Sequence, residues 1–293
     1  MAERAIEGRP MVEHPTSRLA ERAHRVEPFH VMRLLGRARE LEAAGRSIVH
    51  LEVGEPDFPT PEPIPAAGRA ALDAGLTHYT PAAGLPALRQ AIAAHYAQRH
   101  GVEVDPARVL VTPGASGALQ PVFSVLLEPG DRVILGDPSY PCYRQMFGLM
   151  GAEPVAVPLG PETGYRLTPE RLEAAWVPGT RAVVASPANP TGAVTSLDEL
   201  CAIQAICRAR GAALIVDEIY RGLTYGVPDT TALALAGEDL YVEEAGVALT
   251  PDQDFGAHEC NRHVRLAYTR DFEVLDEGVR RIGDFLAGLG STT

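Results

Sequence analysis

Four short apolar stretches of this chain each run into residues whose types and spacing suit a ligand. VLVT (109–112) leads to PGASGAL (113–119), and RVILG (132–136) leads to DPSYPCY (137–143). RAVVAS (181–186) leads to PANPTG (187–192), and ALIV (213–216) leads to DEIY (217–220). In the first cluster a turn with Gly114 and Gly117 opens a helix at Ser116. The N–H groups of a helix start, with the Ser116 hydroxyl, suit a phosphate; the same glycines also serve tight packing in any strand-to-helix turn. The second cluster sets Tyr140 on a proline-fixed turn, either to stack on a flat ring or to sit half-buried against a core. The third holds Asn189 between Pro187 and Pro190, as a positioned amide or as part of an ordinary turn. The fourth places Asp217 where an apolar strand ends, with Tyr220 three residues on. A carboxylate partly buried there needs a cationic partner, and a protonated ring nitrogen is one.

Taken singly, each cluster has a structural explanation. Taken together they offer an anion cradle, a stacking ring, an amide and a phenol for a ring oxygen, and a carboxylate for a ring N–H⁺. Pyridoxal 5′-phosphate carries all five complementary features. The pairing of Asp217 with a pyridinium matters most, because it keeps such a ring an electron sink for a carbanion.

The elements that must position these residues follow from hydrophobic periodicity. The nearly continuous apolar runs at 109–112, 132–136, 181–186 and 213–218 predict short strands buried on both faces. Helical spacing over 28–45, 85–101, 116–127 and 196–211 predicts helices between or beside them, two of them ended by Gly45 and Gly101. A further strand is predicted at SIVHLEV (47–53), ahead of the turn-rich GEPDFPTP. The expected fold is α/β, a mostly parallel sheet flanked by helices. Ligands of such sheets bind beyond the carboxyl ends of the strands, which is where the four clusters lie.

Composition narrows the function classes. The 293 residues, 46% hydrophobic and 22% charged, are enough for a real core. A net charge of −12 argues against nucleic acid and against an anionic membrane surface as partners. No apolar run reaches the ~18 residues of a membrane span, and MAERAIEGRPMVEH lacks the apolar core of a secretory signal. Cys142, Cys201, Cys207 and Cys260 show no metal-ligand or disulfide spacing, so no metal site is expected and a cytoplasmic location is. All 26 residues in the combined lysine and arginine count are arginines; the chain contains no lysine.

The motifs, in their order and spacing, resemble those of the class I/II aminotransferases, the fold-type I pyridoxal phosphate enzymes, and within them the bacterial aspartate and aromatic aminotransferase subgroup. HLEVGEPDFPTP (50–61), HYTPAAGLPALRQAIA (78–93), PGASGAL, GDPSYPCY, SPANPTGAV and IVDEIYRGL carry the resemblance, joined by GVALTPDQDFG (246–256) and HVRLAYT (263–269). It implies amino-group transfer between an amino acid and a 2-oxo acid. It further implies that Gly114, Ala115 and Ser116 hold the cofactor phosphate and that Tyr79 reaches the phosphate of a neighbouring subunit's cofactor in a homodimer. Tyr140 would stack on the ring, Asn189 and Tyr220 would bind its 3′-oxygen, and Asp217 its nitrogen. Gly54 and Arg265 would receive the substrate carboxylate, with Arg265 as a bidentate clamp.

One departure stands out. In the family a strand after DEIY ends in a lysine turn, followed by a glycine–arginine motif; the lysine bonds the cofactor as a Schiff base and the arginine grips its phosphate. Here DLYV (239–242) resembles the strand approaching that turn, and EEAGVALTP (243–251) resembles the far end of the small domain. An internal deletion joined somewhere in 236–243 is therefore expected, leaving no catalytic lysine and a much-reduced small domain. The expected organisation is an arm and helix over 1–45, a cofactor-binding domain over 46–242 and a small-domain remnant over 243–293. Arginine cannot replace the lysine, because a guanidinium of pKa about 12.5 to 13.8 offers no nucleophilic free base. Losing the segment that follows the lysine is also expected to leave unpaired sheet edges near the phosphate-loop strand. Two other readings stay open: a non-catalytic cofactor binder or dimer partner of a full-length relative, and an aminotransferase-like carbon–sulfur lyase.

Overall fold

The computed structural model describes residues 19–26, 30–51, 54, 57–185, 189–235, 240–243 and 271–290. Its centre is a parallel sheet of five strands: β1 (Arg132–Asp137), β2 (Glu153–Pro158), β3 (Thr180–Ala185), β4 (Ala213–Asp217) and β5 (Leu240–Glu243). They lie in the order β2-β1-β3-β4-β5, and every neighbouring pair is parallel. Helices α4 (Ala115–Leu126), α5 (Pro141–Met150), α6 (Pro169–Ala175) and α7 (Leu197–Ala209) precede or connect the strands.

Alternation along each strand explains why the apolar runs are continuous. Val133, Leu135, Ala182, Val184 and Ile215 face α4 and α5, where Phe123, Tyr143 and Phe147 close one core. The intervening Ile134, Val183, Leu214 and Val216 face α6 and α7, where Leu172, Leu200, Ile203 and Cys207 close the other. Both faces of the central strands are covered, so their middle positions, 133–135, 182–185 and 213–216, are all apolar. Local signals agree with the larger pattern: Ser196 and Glu199 form a reciprocal capping box at the start of α7.

Because the chain steps outward from β1 to β2 and then crosses to β3, the sheet reverses its winding between β1 and β3. Such a switch point opens a crevice at the carboxyl ends of the two strands. Tyr140 follows β1 and Asn189 follows β3, so the reversal puts both on that crevice.

Three expectations need correction. Residues 109–112 form no strand: Val111 N–H donates to Ala83 O at 3.1 Å, but no ladder forms and Leu110 is half exposed. β propensity does not make a strand without a neighbour to pair with. The described residues 47–51 of the expected 47–53 strand are likewise outside any sheet. They instead meet α8 (Phe272–Gly290), where Arg281 Nη1 donates to Ser47 O at 2.9 Å and Gly278 packs close to Leu51. The strand at DLYV does not stop at Val242, because β5 runs through Glu243, in register with Asp217 of β4. Tyr140 lies on the turn after β1, as expected, and α5 starts at the next residue, Pro141.

Helices α1 (His30–Ala43) and α3 (Pro86–His100) fall within the predicted spans. Gly101 caps α3 in the left-handed conformation, φ 67°. Helix α2 (Pro63–Asp73) precedes α3 in the chain and exposes Ile64 and Leu72.

Candidate functional site

The site is best built outward from Asp217. It closes β4 and is buried, and it faces no cationic side chain among the described residues. Its two oxygens are held by neutral donors: Tyr143 Oη donates to Oδ2 at 2.5 Å, and Ile219 N–H donates to Oδ1 at 3.1 Å. Burial pushes its carboxyl pKa up, while those two hydrogen bonds work against the rise. A carboxylate in this position is short of one cation.

Tyr143 links Asp217 to the crevice. Its ring meets Tyr140 edge-on, with centroids 5.5 Å apart. Tyr140 caps the start of α5, and its hydroxyl reaches the Ser116 side chain at the start of α4. Burial, first of all, raises the Tyr140 phenol far above its usual range, with the neighbouring Cys142 thiol adding to it. A chain of contacts therefore runs Ser116–Tyr140–Tyr143–Asp217 across the ends of α4, β1 and β4.

Asn189 lies across the same crevice. A small cleft is lined by Ser139, Tyr140, Tyr143, Tyr165, Asn189 and Thr195. Asn189 is buried there, and neither its Oδ1 nor the Ser139 hydroxyl has a hydrogen-bond partner. A buried amide left in that condition costs about 1–3 kcal/mol until a ligand or water satisfies it.

At the phosphate-loop end, Gly114 is the N-cap of α4 with φ 77°, a conformation that favours glycine. The space where a Cβ would stand is open. Ala115 and Ser116 begin α4, whose first-turn N–H groups have no intrahelical acceptor. An anion fits at this opening.

The structure thus brings together Gly114, Ala115, Ser116, Tyr140, Asn189 and Asp217. Tyr220 lines an adjoining cleft with Glu218, Arg221 and Asp229, and Thr195 borders both clefts. Tyr79 is fully exposed on the surface, and Gly54 is buried between residues that are not described. Arg265 lies outside the described residues.

Comparison with known proteins settles the family. The model for aminotransferase class I and II matches residues 46–250. This chain belongs to that family. Valine–pyruvate aminotransferase of Mycobacterium tuberculosis is 43% identical over 217 residues, which is 74% of this chain and 56% of the relative. Aspartate aminotransferase of Geobacillus stearothermophilus is 39% identical, over 76% of this chain and 57% of its own length. Among solved structures, an aminotransferase from Mycobacterium tuberculosis superposes with a TM-score of 0.74 at 38% identity, over 82% of this chain and 66% of that one. Thermus thermophilus aspartate aminotransferase with maleate gives 0.75 at 34% identity, with the same coverages. The chain spans little more than half the length of the curated relatives it matches. Members of this family use pyridoxal phosphate, and the α/β sheet described above is the family's fold.

Tyr143 was not singled out by sequence reasoning. Its signal was present: an aromatic three residues beyond Tyr140 falls on the same face of a helix. No helix is predicted over 141–150, so that spacing carries no weight in the sequence.

Proposed function

We propose that this chain is a shortened aminotransferase-family protein that holds pyridoxal or pyridoxamine phosphate without a covalent anchor, and that its capacity for amino-group transfer is severely reduced. The carrying observation is Asp217, a buried carboxylate with neutral donors on both oxygens and no cation among the described residues. A protonated pyridine nitrogen is the missing charge. Bound pyridoxal phosphate would supply an electron-accepting ring for bond cleavage next to an amino group.

In this reading the first-turn N–H groups of Ala115 and Ser116, with Gly114 giving access, hold the phosphate. Tyr140 covers the ring, and Asn189 donates its amide N–H to the ring oxygen. Tyr220 shares that role by resemblance alone, as do Gly54 and Arg265 toward the substrate carboxylate. Tyr79, fully exposed, is free to reach a second subunit, which supports a homodimer. No lysine exists in the chain to bond the cofactor or to move a proton at the substrate carbon, a role worth about 10²- to 10⁴-fold in general acid–base catalysis. An internal deletion around 236–243 accounts both for that loss and for the unpaired segment at 109–112. The absence of lysine also favours the second reading, a non-catalytic binder or dimer partner of a full-length relative. None of the described Cys142, Cys201 and Cys207 is in a disulfide, which suits a cytoplasmic location. No helix among the described residues is long and apolar enough to cross a membrane.

Calorimetry with pyridoxamine phosphate tests the reading, because this form needs no covalent bond. Reversible binding is expected, and none at millimolar ligand overturns the proposal. Pyridoxal phosphate followed by borohydride should leave no adduct on any internal residue. Turnover should stay near that of the free cofactor; family-like turnover that is lost in Asp217→Ala would show that another group replaces the lysine.

A further inference from the structure

Asp217 and Tyr140 are the two groups expected to meet the ring from its edge and its face, and one side chain touches both. Tyr143 is 1% exposed and sits on the first turn of α5, with its ring edge-on to Tyr140 at 5.5 Å and its hydroxyl on Asp217 Oδ2 at 2.5 Å. We infer that Tyr143 is the positioning residue of this pocket: its hydroxyl holds Asp217 ionised and oriented, and its ring fixes the plane of Tyr140. The inference rests on the cofactor reading above and adds to it the residue that organises the pocket before any ligand arrives.

The physical argument concerns the proton. In a buried setting with no cation, a carboxylic acid tends to stay neutral, and a neutral acid cannot balance a ring N–H⁺. Donation from a phenol favours the ionised form, and an O–H···O⁻ bond is among the stronger hydrogen bonds available to a protein. Ile219 N–H does the same for the other oxygen. The backbone donor survives any side-chain change, so Tyr143 is the only one of the two that substitution can remove. Among the described residues no other titratable side chain is hydrogen-bonded to Asp217, and it is these two donors that hold its pKa down against burial. The phenol also fixes which way the carboxylate plane faces. With Oδ2 tied to α5 and Oδ1 tied to the turn after β4, the remaining lone pairs are presented in one direction.

The test is Tyr143→Phe, which keeps the ring and removes the hydroxyl. Carbon-13 labelling of aspartate carboxyls, followed by a pH titration of the ligand-free protein, reads Asp217 directly, with Asp217→Asn assigning its resonance. A higher midpoint in Tyr143→Phe than in the unmodified protein is expected, and an unchanged midpoint overturns the inference. The second readout is the pH profile of pyridoxamine phosphate binding. Its acid limb should move to higher pH in Tyr143→Phe, and affinity near neutral pH should fall roughly tenfold or more, the scale of a hydrogen bond to a charged group. An acid limb that stays in place overturns the inference even if affinity falls, because a purely structural loss would weaken binding at every pH alike. If neither protein binds the ligand, the cofactor reading fails, and the carboxyl titration alone decides whether Tyr143 controls Asp217. Should Tyr143→Phe not fold, the hydroxyl proton of Tyr143 in the unmodified protein serves instead. A far-downfield resonance lost in Asp217→Asn supports the inference, and a resonance indifferent to that change sinks it.

Discussion

Asp217 and Glu218 are consecutive carboxylates, both almost wholly buried, and the structure treats them in opposite ways. Glu218 is surrounded by partners: Arg221 Nε lies 3.2 Å from Oε2, Thr231 Oγ1 donates at 2.8 Å, and Ala232 N–H donates to Oε1. The Arg221 guanidinium is in turn seated over the Tyr96 ring at 4.5 Å. Asp217 has two neutral donors and no cation among the described residues. The difference teaches how to tell a structural charge from a functional one. A buried carboxylate balanced by its own protein ties elements together, here the turn after β4 to α3 and to the segment at 231–232. A buried carboxylate left unbalanced is poised for a charge from outside.

Stability should break the two apart most sharply. Changing Arg221→Met strands Glu218 in the interior, and removing one member of a buried pair costs about 3–5 kcal/mol. A small domain holds only about 5–15 kcal/mol in all. The denaturant midpoint of Arg221→Met should therefore fall steeply. A midpoint within error of the unmodified protein would mean that Glu218 is not held by this pair.

At Asp217 the corresponding change should act on binding and not on folding. Asp217→Asn keeps size and shape and removes a charge that burial disfavours, so the ligand-free unfolding free energy should change by less than about 1 kcal/mol. Pyridoxamine phosphate affinity should fall roughly ten- to a hundredfold, because an amide does not balance a ring N–H⁺. The pH dependence sharpens the contrast. The folded-state pKa of Asp217 lies above its ordinary value, so the folded state binds the proton more tightly than the unfolded chain. The contribution of this group to stability is thus greatest in acid and is lost as pH rises through that raised pKa. Asp217→Asn should remove this part of the slope. A melting profile across acidic pH that is identical in the two proteins counts against a raised pKa at this site.

Much of this contrast was legible in the sequence, and the part that was not has physical causes. The strands β1, β3 and β4 announce themselves because both faces are buried, which leaves no polar residue to interrupt the run. β2 was missed because it is an edge strand: Pro154 and Pro158 flank alternating, largely exposed positions. The apolar run at 109–112 predicts a strand, but a ladder requires a neighbour, and none stands beside it among the described residues. The crevice positions Tyr140, Asn189 and Asp217 are identifiable in the sequence because they follow apolar strands. Their supports are not. Tyr143 is 74 residues from Asp217 in the chain, and Arg221 is 121 residues from His100. Only the packing of α5 against the sheet, and of α3 against the turn after β4, makes them partners.

The smallest effect expected lies at the outer edge of the Glu218 cluster, where His100 Nε2 contacts Arg221 Nη1. Burial first, and then the Arg221 charge, lower the His100 pKa; Arg99 and His95 act in the same direction, and Asp229 opposes them. The neutral imidazole is thus the form the fold prefers. The sign follows from linkage: a histidine with a depressed folded pKa supports stability fully above its unfolded value of 6.5. That support is lost as pH falls through the lowered pKa, when a second cation is forced against Arg221. Asp229, itself paired with Arg99 at 2.9 Å, softens the repulsion, and His100 is partly open to solvent, so the change should be modest. Melting temperatures measured from pH 8 to pH 5 should decline for the unmodified protein, with part of that decline missing in His100→Gln. The amide can still accept from the guanidinium but cannot become charged, so the contact is kept and only the titration is removed. If His100→Gln declines as steeply as the unmodified protein, the paired carboxylate beside Asp217 is insulated from pH, and the acid sensitivity of the fold must come from elsewhere.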